Sequence, residues 1–249
     1  MSKIFHNPEI KQINFLDERF YTADDITYYP SVTTVLDVFP KGYGYIQWLK
    51  DLGQNADAVM ERAGTVGTNV HNAINKYLNG LELLWATEDG KPIYSIEEWL
   101  MILKFKEFMD KFKPTIETSE GNFVSNKYKL GGTIDIVAVI EGKRWLIDIK
   151  TSNAIYTTHE LQVSAYAHLW NEVNLNRQID ETAILWLKAL TRSEGKKGAI
   201  QGHGWQLKTF DRNYSDAFKI FEHTRIIWDE MNKNYRPKNL VYPDRIKLK

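Results

Sequence analysis

Two apolar runs separated only by Glu141-Gly142 constrain this chain more than anything else in it. They are Gly-Thr-Ile-Asp-Ile-Val-Ala-Val around Asp135 and Trp-Leu-Ile-Asp-Ile-Lys around Asp148, and each carries one aspartate in its middle. Length, β-branched content and the Glu-Gly break predict strands at Ile134–Ile140 and Arg144–Ile149. With a two-residue hairpin turn, Ile140 pairs with Lys143, paired numbers sum to 283, and Asp135 falls opposite Asp148. Like charges facing each other across a strand pair are destabilising, and burial raises the penalty. Two readings follow. The aspartates sit at frayed strand ends, solvated or paired with lysine, or a divalent cation between them removes the repulsion. The second reading is favoured, and oxygen ligands then point to Mg²⁺ or Mn²⁺.

Asp148 and Lys150 are two apart on a strand and so share a face. The pattern acid-x-Lys is not informative alone, because it occurs five times: Glu9–Lys11, Asp89–Lys91, Glu141–Lys143, Asp148–Lys150 and Glu194–Lys196. Only Asp148–Lys150 has a second carboxylate, Asp135, facing it in the expected register.

The rest of the chain sorts into helices before Pro114 and a mixture after it. Ile13–Thr22 has the short apolar runs of a small hairpin. Ser31 is a candidate N-cap for a helix over Val32–Phe39, and Tyr43–Leu52 and Asn55–Ala63 read as short helices. Val66, Val70, Ile74 and Leu78 form one stripe on a helix over Thr65–Leu78. Ser95-Ile96-Glu97-Glu98 is a capping box opening a helix to about Phe112. Beyond Pro114, strands are expected at Phe123–Leu130, Ile134–Ile140 and Arg144–Ile149, with Gly131-Gly132 as punctuation. A helix follows at His159–Asn171, then strands at Ala183–Leu190 and Trp205–Phe210 around a Gly-Lys-Lys-Gly turn at 195–198, and a helix at Ser215–Met231. This order predicts an α/β sandwich around a central mixed sheet, with an N-terminal helical portion over 1–115 and the core over 116–249, in a single domain.

Composition limits the chemistry. Hydrophobic residues make up 43% and charged residues 26% of the 249, enough for a sizeable core. Formal net charge is zero, so attraction to a polyanion must come from local clusters. Lys188–Arg212, with six basic and two acidic residues, and the basic tail from Lys233 to Lys249 are such clusters, with a merely solvated face as the competing reading. There is no cysteine, which excludes disulfides, thiolate metal sites and cysteine nucleophiles. The start has no apolar h-region, and no apolar run reaches the ~18 residues of a membrane helix. A cytoplasmic protein without a membrane segment is the expectation.

Among the six histidines, His71 stands beside the apolar stripe of its helix, one turn after Gly67, where the bare surface admits a close neighbour. A neutral imidazole there could ligate a metal and tilt preference toward Mn²⁺; a hydrogen-bonded structural histidine is the weightier reading from the residues alone. Gln162 and Tyr166 share a helix face and offer an amide and a phenol suited to DNA, although such pairs are common.

Together, Gly67-x-x-x-His71, Gly132-Thr133-Ile134-Asp135, Asp148-Ile149-Lys150 and Gln162-x-x-x-Tyr166 resemble, in order and spacing, the RecB-like branch of the PD-(D/E)xK nucleases; Tyr29-Pro30-Ser31-Val32-Thr33-Thr34-Val35-Leu36 is similar to that group's N-terminal segment. The resemblance spans roughly 29–210. It implies a restriction-endonuclease-like fold and a metal-dependent DNA exonuclease acting on single-stranded or free ends in replication, recombination or repair. It implies His71, Asp135 and Asp148 as metal ligands with the Ile149 carbonyl, Lys150 as the residue orienting the attacking water, and Gln162 and Tyr166 as substrate contacts. Glu120 resembles a further acidic position of some members. The lack of cysteine implies no iron–sulfur cluster. A structure-specific endonuclease on the same site and a non-catalytic DNA-binding accessory protein are the competing functions.

Overall fold

The computed structural model describes residues 9–189, 204–233 and Pro237. Its first elements are β1 (Lys11–Phe15), β2 (Glu18–Thr22), β3 (Tyr29–Pro30), α1 (Val32–Leu36), α2 (Tyr43–Leu52), a 3₁₀ turn at Gly53–Asn55, α3 (Ala56–Leu78) and α4 (Ile96–Phe112). They are followed by β4 (Thr115–Ser125), β5 (Leu130–Ile140), β6 (Lys143–Lys150), α5 (Thr157–Val173), β7 (Glu181–Trp186), β8 (Gln206–Lys208) and α6 (Tyr214–Met231).

The Glu141-Gly142 turn has both φ angles positive, 49° and 79°, as the tight hairpin turn that matches strand twist requires. It sets Ile140 against Lys143, and the pairing continues to Ile136 against Ile147. There the β5–β6 ladder stops, one step short of the aspartates, while both strands run on with other partners: β5 against β4 to Leu130, and β6 against β7 to Lys150. The five-stranded sheet has the order β4-β5-β6-β7-β8 and is antiparallel except between β6 and β7. That parallel pair needs a crossover, which α5 supplies.

Alternation along the strands feeds two cores. Ile136, Ala138, Ile140, Ile147, Ile149 and Leu185 pack with Val70 and Ile74 of α3 and with Met101, Phe105 and Phe108 of α4. Val137, Leu146 and Ile184 on the opposite side join a cluster with Leu161, Leu169 and Trp170 of α5, Phe221 and Trp228 of α6, and Val32 and Val35 of α1. The chain is thus mixed α/β with helices on both faces of the sheet. Among the described residues no helix is long and apolar enough to cross a membrane.

Several expected boundaries move. The hairpin expected at Ile13–Thr22 is β1–β2, turned at Leu16-Asp17 with φ of 48° and 66°, and β3 joins it as a third strand in a sheet of their own. Asn55–Ala63 and Thr65–Leu78 are one helix, α3; no proline interrupts it, and a mid-helix glycine costs only about 1 kcal/mol. The expected strand Phe123–Leu130 is cut by a turn in which the Ser125 hydroxyl accepts the Tyr128 N–H and Lys129 takes φ 52°. Gly131 and Gly132 are not punctuation but lie inside β5. A Cβ on Gly131 would stand 2.3 Å from Tyr21 Cβ, and one on Gly132 2.5 Å from Tyr166 Cε1, so both glycines let a tyrosine lie against the strand. The turn at 195–198, most of the basic segment leading to Arg212, and the basic tail beyond Lys233 lie outside the described residues.

On the α5 face, His168 stacks on Phe218 with ring centroids 3.9 Å apart and meets the edges of Tyr128 and Tyr214. Burial, then the charge of Lys127, push its pKa down to about 4. Unfolded, it titrates near 6.5. Its folded value is depressed, so the neutral ring contributes stability that is full above pH 6.5 and is lost as the pH falls towards 4. Allowing for partial exposure, the loss is about 1–2 kcal/mol. Urea unfolding should show wild type losing that much more than His168→Phe between pH 7 and 4.5; parallel pH profiles would contradict it.

Candidate metal centre

Where β5 and β6 part, side chains from both helical layers converge. α3 brings His71, because Gly67 one turn earlier lets the helix lie close to the end of β6: a Cβ there would be 3.3 Å from Thr151 Oγ1. His71 Nδ1 is 3.4 Å from Glu120 Oε1 and 3.6 Å from Asp135 Oδ2. Candidate ligand atoms of His71, Glu120 and Asp135 all lie within 4.8 Å of one another, a grouping that could hold a metal ion. Glu120 sits in β4 between Ser119, opposite Ile136, and Gly121, opposite Ile134, and so comes level with Asp135. Its φ is +50°, a left-handed conformation inside a strand. Such strain in a non-glycine residue gathers at functional sites.

Asp135 Oδ2 accepts the Ile149 N–H at 2.7 Å. At Ile149 the backbone N–H serves the described cluster through Asp135. Asp148 is turned to another set of partners. Its Oδ1 accepts from Gln162 Nε2 at 3.0 Å, and its Oδ2 stands 2.6 Å from Lys150 Nζ. Lys150 Nζ also donates to Gln162 Oε1 at 3.0 Å, and Gln162 Nε2 lies 3.2 Å from the Tyr166 hydroxyl. Gln162 and Tyr166, at 7% and 3% exposure, brace the Asp148–Lys150 pair from beneath rather than presenting free polar ends at the surface.

The electrostatics follow from this geometry. Burial pushes both aspartates above the usual carboxylate range, against the nearby cations that pull them down. Burial opposes charge on His71, yet Asp135 and Glu120 together outweigh it and lift the imidazole to about 9. The expected direct opposition of Asp135 and Asp148 is therefore relieved, because the ladder ends before them and each faces its own cation. Asp148 is lysine-paired, as the first reading has it, while the cation-competent grouping joins Asp135 to His71 and Glu120 and does not include Asp148.

Does that set suit a divalent ion? Three oxygen- or nitrogen-bearing side chains, two of them carboxylates, are the donors hard cations take. Asp148 stands outside that grouping, its buried Oδ2 paired with Lys150 Nζ at 2.6 Å. The residues fit. His159, which sequence reasoning passed over, lies three positions before Gln162 on α5; burial and then Lys150 push it down to about 4, keeping it neutral beside the pair. Its spacing from Gln162 was the available signal. A comparison with models of known families and with curated proteins gives no match.

Proposed function

We propose that this chain is a divalent-metal-dependent DNA exonuclease with a restriction-endonuclease-like core of the RecB-like PD-(D/E)xK kind. The observation that carries the reading is the convergence of His71, Glu120 and Asp135 with a braced Asp148–Lys150 pair where the central strands separate. The four sequence motifs supply His71, Asp135, the Asp148–Lys150 pair and its brace Gln162, and Glu120 joins them from outside any motif.

His71, Glu120 and Asp135 would hold the ion, with Asp148 beside them. An Mg²⁺ or Mn²⁺ ion bound there would supply Lewis acidity toward a phosphodiester and toward water. Lys150 Nζ, fixed by Gln162, can donate to the attacking water or to a phosphate oxygen and so orient attack. Gln162 holds Lys150 and Asp148 in place, and Tyr166 acts through Gln162. Unpaired DNA with a free end is the proposed substrate. An endonuclease could use the same residues, whereas an accessory protein has no need for the brace on Lys150.

A time course on single strands labelled at the 5′ or the 3′ end, beside a closed single-stranded circle, tests the proposal. Mononucleotide-sized products from the linear strands, an intact circle, and no cleavage with excess chelator are expected. Rapid cutting of the circle would reassign the site to an endonuclease, and full activity in chelator would remove the metal mechanism.

A further inference from the structure

Outside the cluster itself, the helix that carries His71 is fastened to the strand that carries Glu120 by a directional contact: Ser119 Oγ donates to Asn75 Oδ1 at 3.1 Å. Asn75 is four residues after His71, on the same face of α3. Ser119 immediately precedes Glu120 and pairs with Ile136, the neighbour of Asp135. Each end of the bond is therefore one step from a cluster residue, and the strand register carries it to the third. Asn79 Nδ2 also donates to Asn75 Oδ1, at 3.0 Å, which fixes the amide on the helix surface.

Among the described residues, the only other side-chain hydrogen bond between α3 and β4 is the His71–Glu120 contact of the cluster itself. Val70 and Ile74 bury apolar surface against the sheet, and apolar contact is non-directional, so it leaves the phase and height of the helix loosely set. Asn69 bonds Glu98 at 2.7 Å, but that holds α3 to α4 and not to the sheet. The left-handed backbone of Glu120 also has to be held by its surroundings, and Ser119 is its nearest anchored neighbour.

We infer that the Asn75–Ser119 hydrogen bond is a positioning device for the metal cluster: it sets the height of α3 along β4 at which His71 and Glu120 come within ligand distance of each other. The inference rests on the reading of that cluster as a cation site. Neither residue touches the ion; both act through their neighbours.

Calorimetric titration with Mn²⁺, beside thermal melting, tests it on Ser119→Ala, Asn75→Ala, the double variant and Ser119→Thr. Each single alanine variant should bind Mn²⁺ about tenfold more weakly, as loss of a residue orienting a ligand does. The double variant should be no weaker than either single one, because both remove one shared bond. Ser119→Thr, which keeps the hydroxyl, should restore affinity, and melting temperatures should not track the affinities. If Ser119→Ala does not fold, Asn75→Ala, on a half-buried helix surface, carries the test. Wild-type affinity in the single variants, or additive losses in the double, would overturn the inference alone. A wild-type protein that takes up no Mn²⁺ would overturn the cation site with it.

Discussion

Replacing Lys150 with Met is expected to slow phosphodiester hydrolysis by about 10²–10³-fold, the range for losing one preorganised donor aimed at the charge that develops in the transition state. Mn²⁺ binding should survive, because a protonated amine offers no lone pair to a metal. The structure adds a second consequence. Asp148 is 1% exposed and its cation is Lys150 at 2.6 Å, so the metal-free variant keeps a buried carboxylate that has lost its partner. It should melt below wild type, and Mn²⁺ should recover part of the difference, since a ligand bound only by the folded state stabilises it. Single-turnover rates and melting curves with and without Mn²⁺ measure both effects. Wild-type turnover in the variant would take Lys150 out of the mechanism.

Gly131→Ala should be among the most destabilising single methyl additions in the protein. Its new Cβ would lie 2.3 Å from Tyr21 Cβ and 2.6 Å from the ring carbons Cγ and Cδ2. Tyr21 Cβ is attached directly to the backbone of β2 and cannot swing aside, and the hydroxyl of that ring is tied to Gln12 and Thr133. Relief must come from separating β2 from β5, where Ser31 also bridges to Gly131. Overpacking of this kind costs about 3 kcal/mol at the upper end of its usual range. For a chain of this size that lowers the melting temperature by about 6–12 °C. Gly132→Ala meets instead the edge of the Tyr166 ring, so its damage should reach Gln162 and the Lys150 brace and appear more in activity than in melting. Calorimetric scans of the two variants decide it, and a Gly131→Ala protein melting with wild type would contradict the packing seen at β2.

What could be read from the residues, and what could not, divides along physical lines. The β5–β6 register was legible because Glu141-Gly142 leaves room for only two turn residues, and the pairing from Ile140–Lys143 to Ile136–Ile147 follows from that count. Capping was legible at Ser31 and Ser95, whose hydroxyls accept the N–H groups of Thr34 and Glu98 as their spacing predicts. β4 was mostly hidden. Thr115–Asn122 is polar in composition, and its burial comes from the long partner strand β5 and from α3, neither of which local pattern reports. Glu120 was reached only through the family resemblance, because local pattern does not mark it and no strand pattern anticipates its left-handed backbone. His71 had only a bare neighbour, Gly67, to distinguish it; its partners lie 49 and 64 residues further along the chain. The divergence of β5 and β6 at the aspartates was not legible either, since extending the hairpin register straight on sets the two carboxylates face to face. Gln162 and Tyr166 were found as a pair, but only packing shows that their polar ends turn inward to Asp148 and Lys150.

The account stands on a cation held by His71 together with the carboxylates of Glu120 and Asp135. Electron–nuclear double resonance on Mn²⁺ added to the protein tests this most directly, because a coordinated imidazole transfers nitrogen hyperfine coupling to the ion. The wild-type protein should show one directly bound nitrogen, and His71→Gln, which keeps all the carboxylates, should lose that coupling. Bound Mn²⁺ with no nitrogen coupling in the wild type, or the same coupling in His71→Gln, would contradict the account.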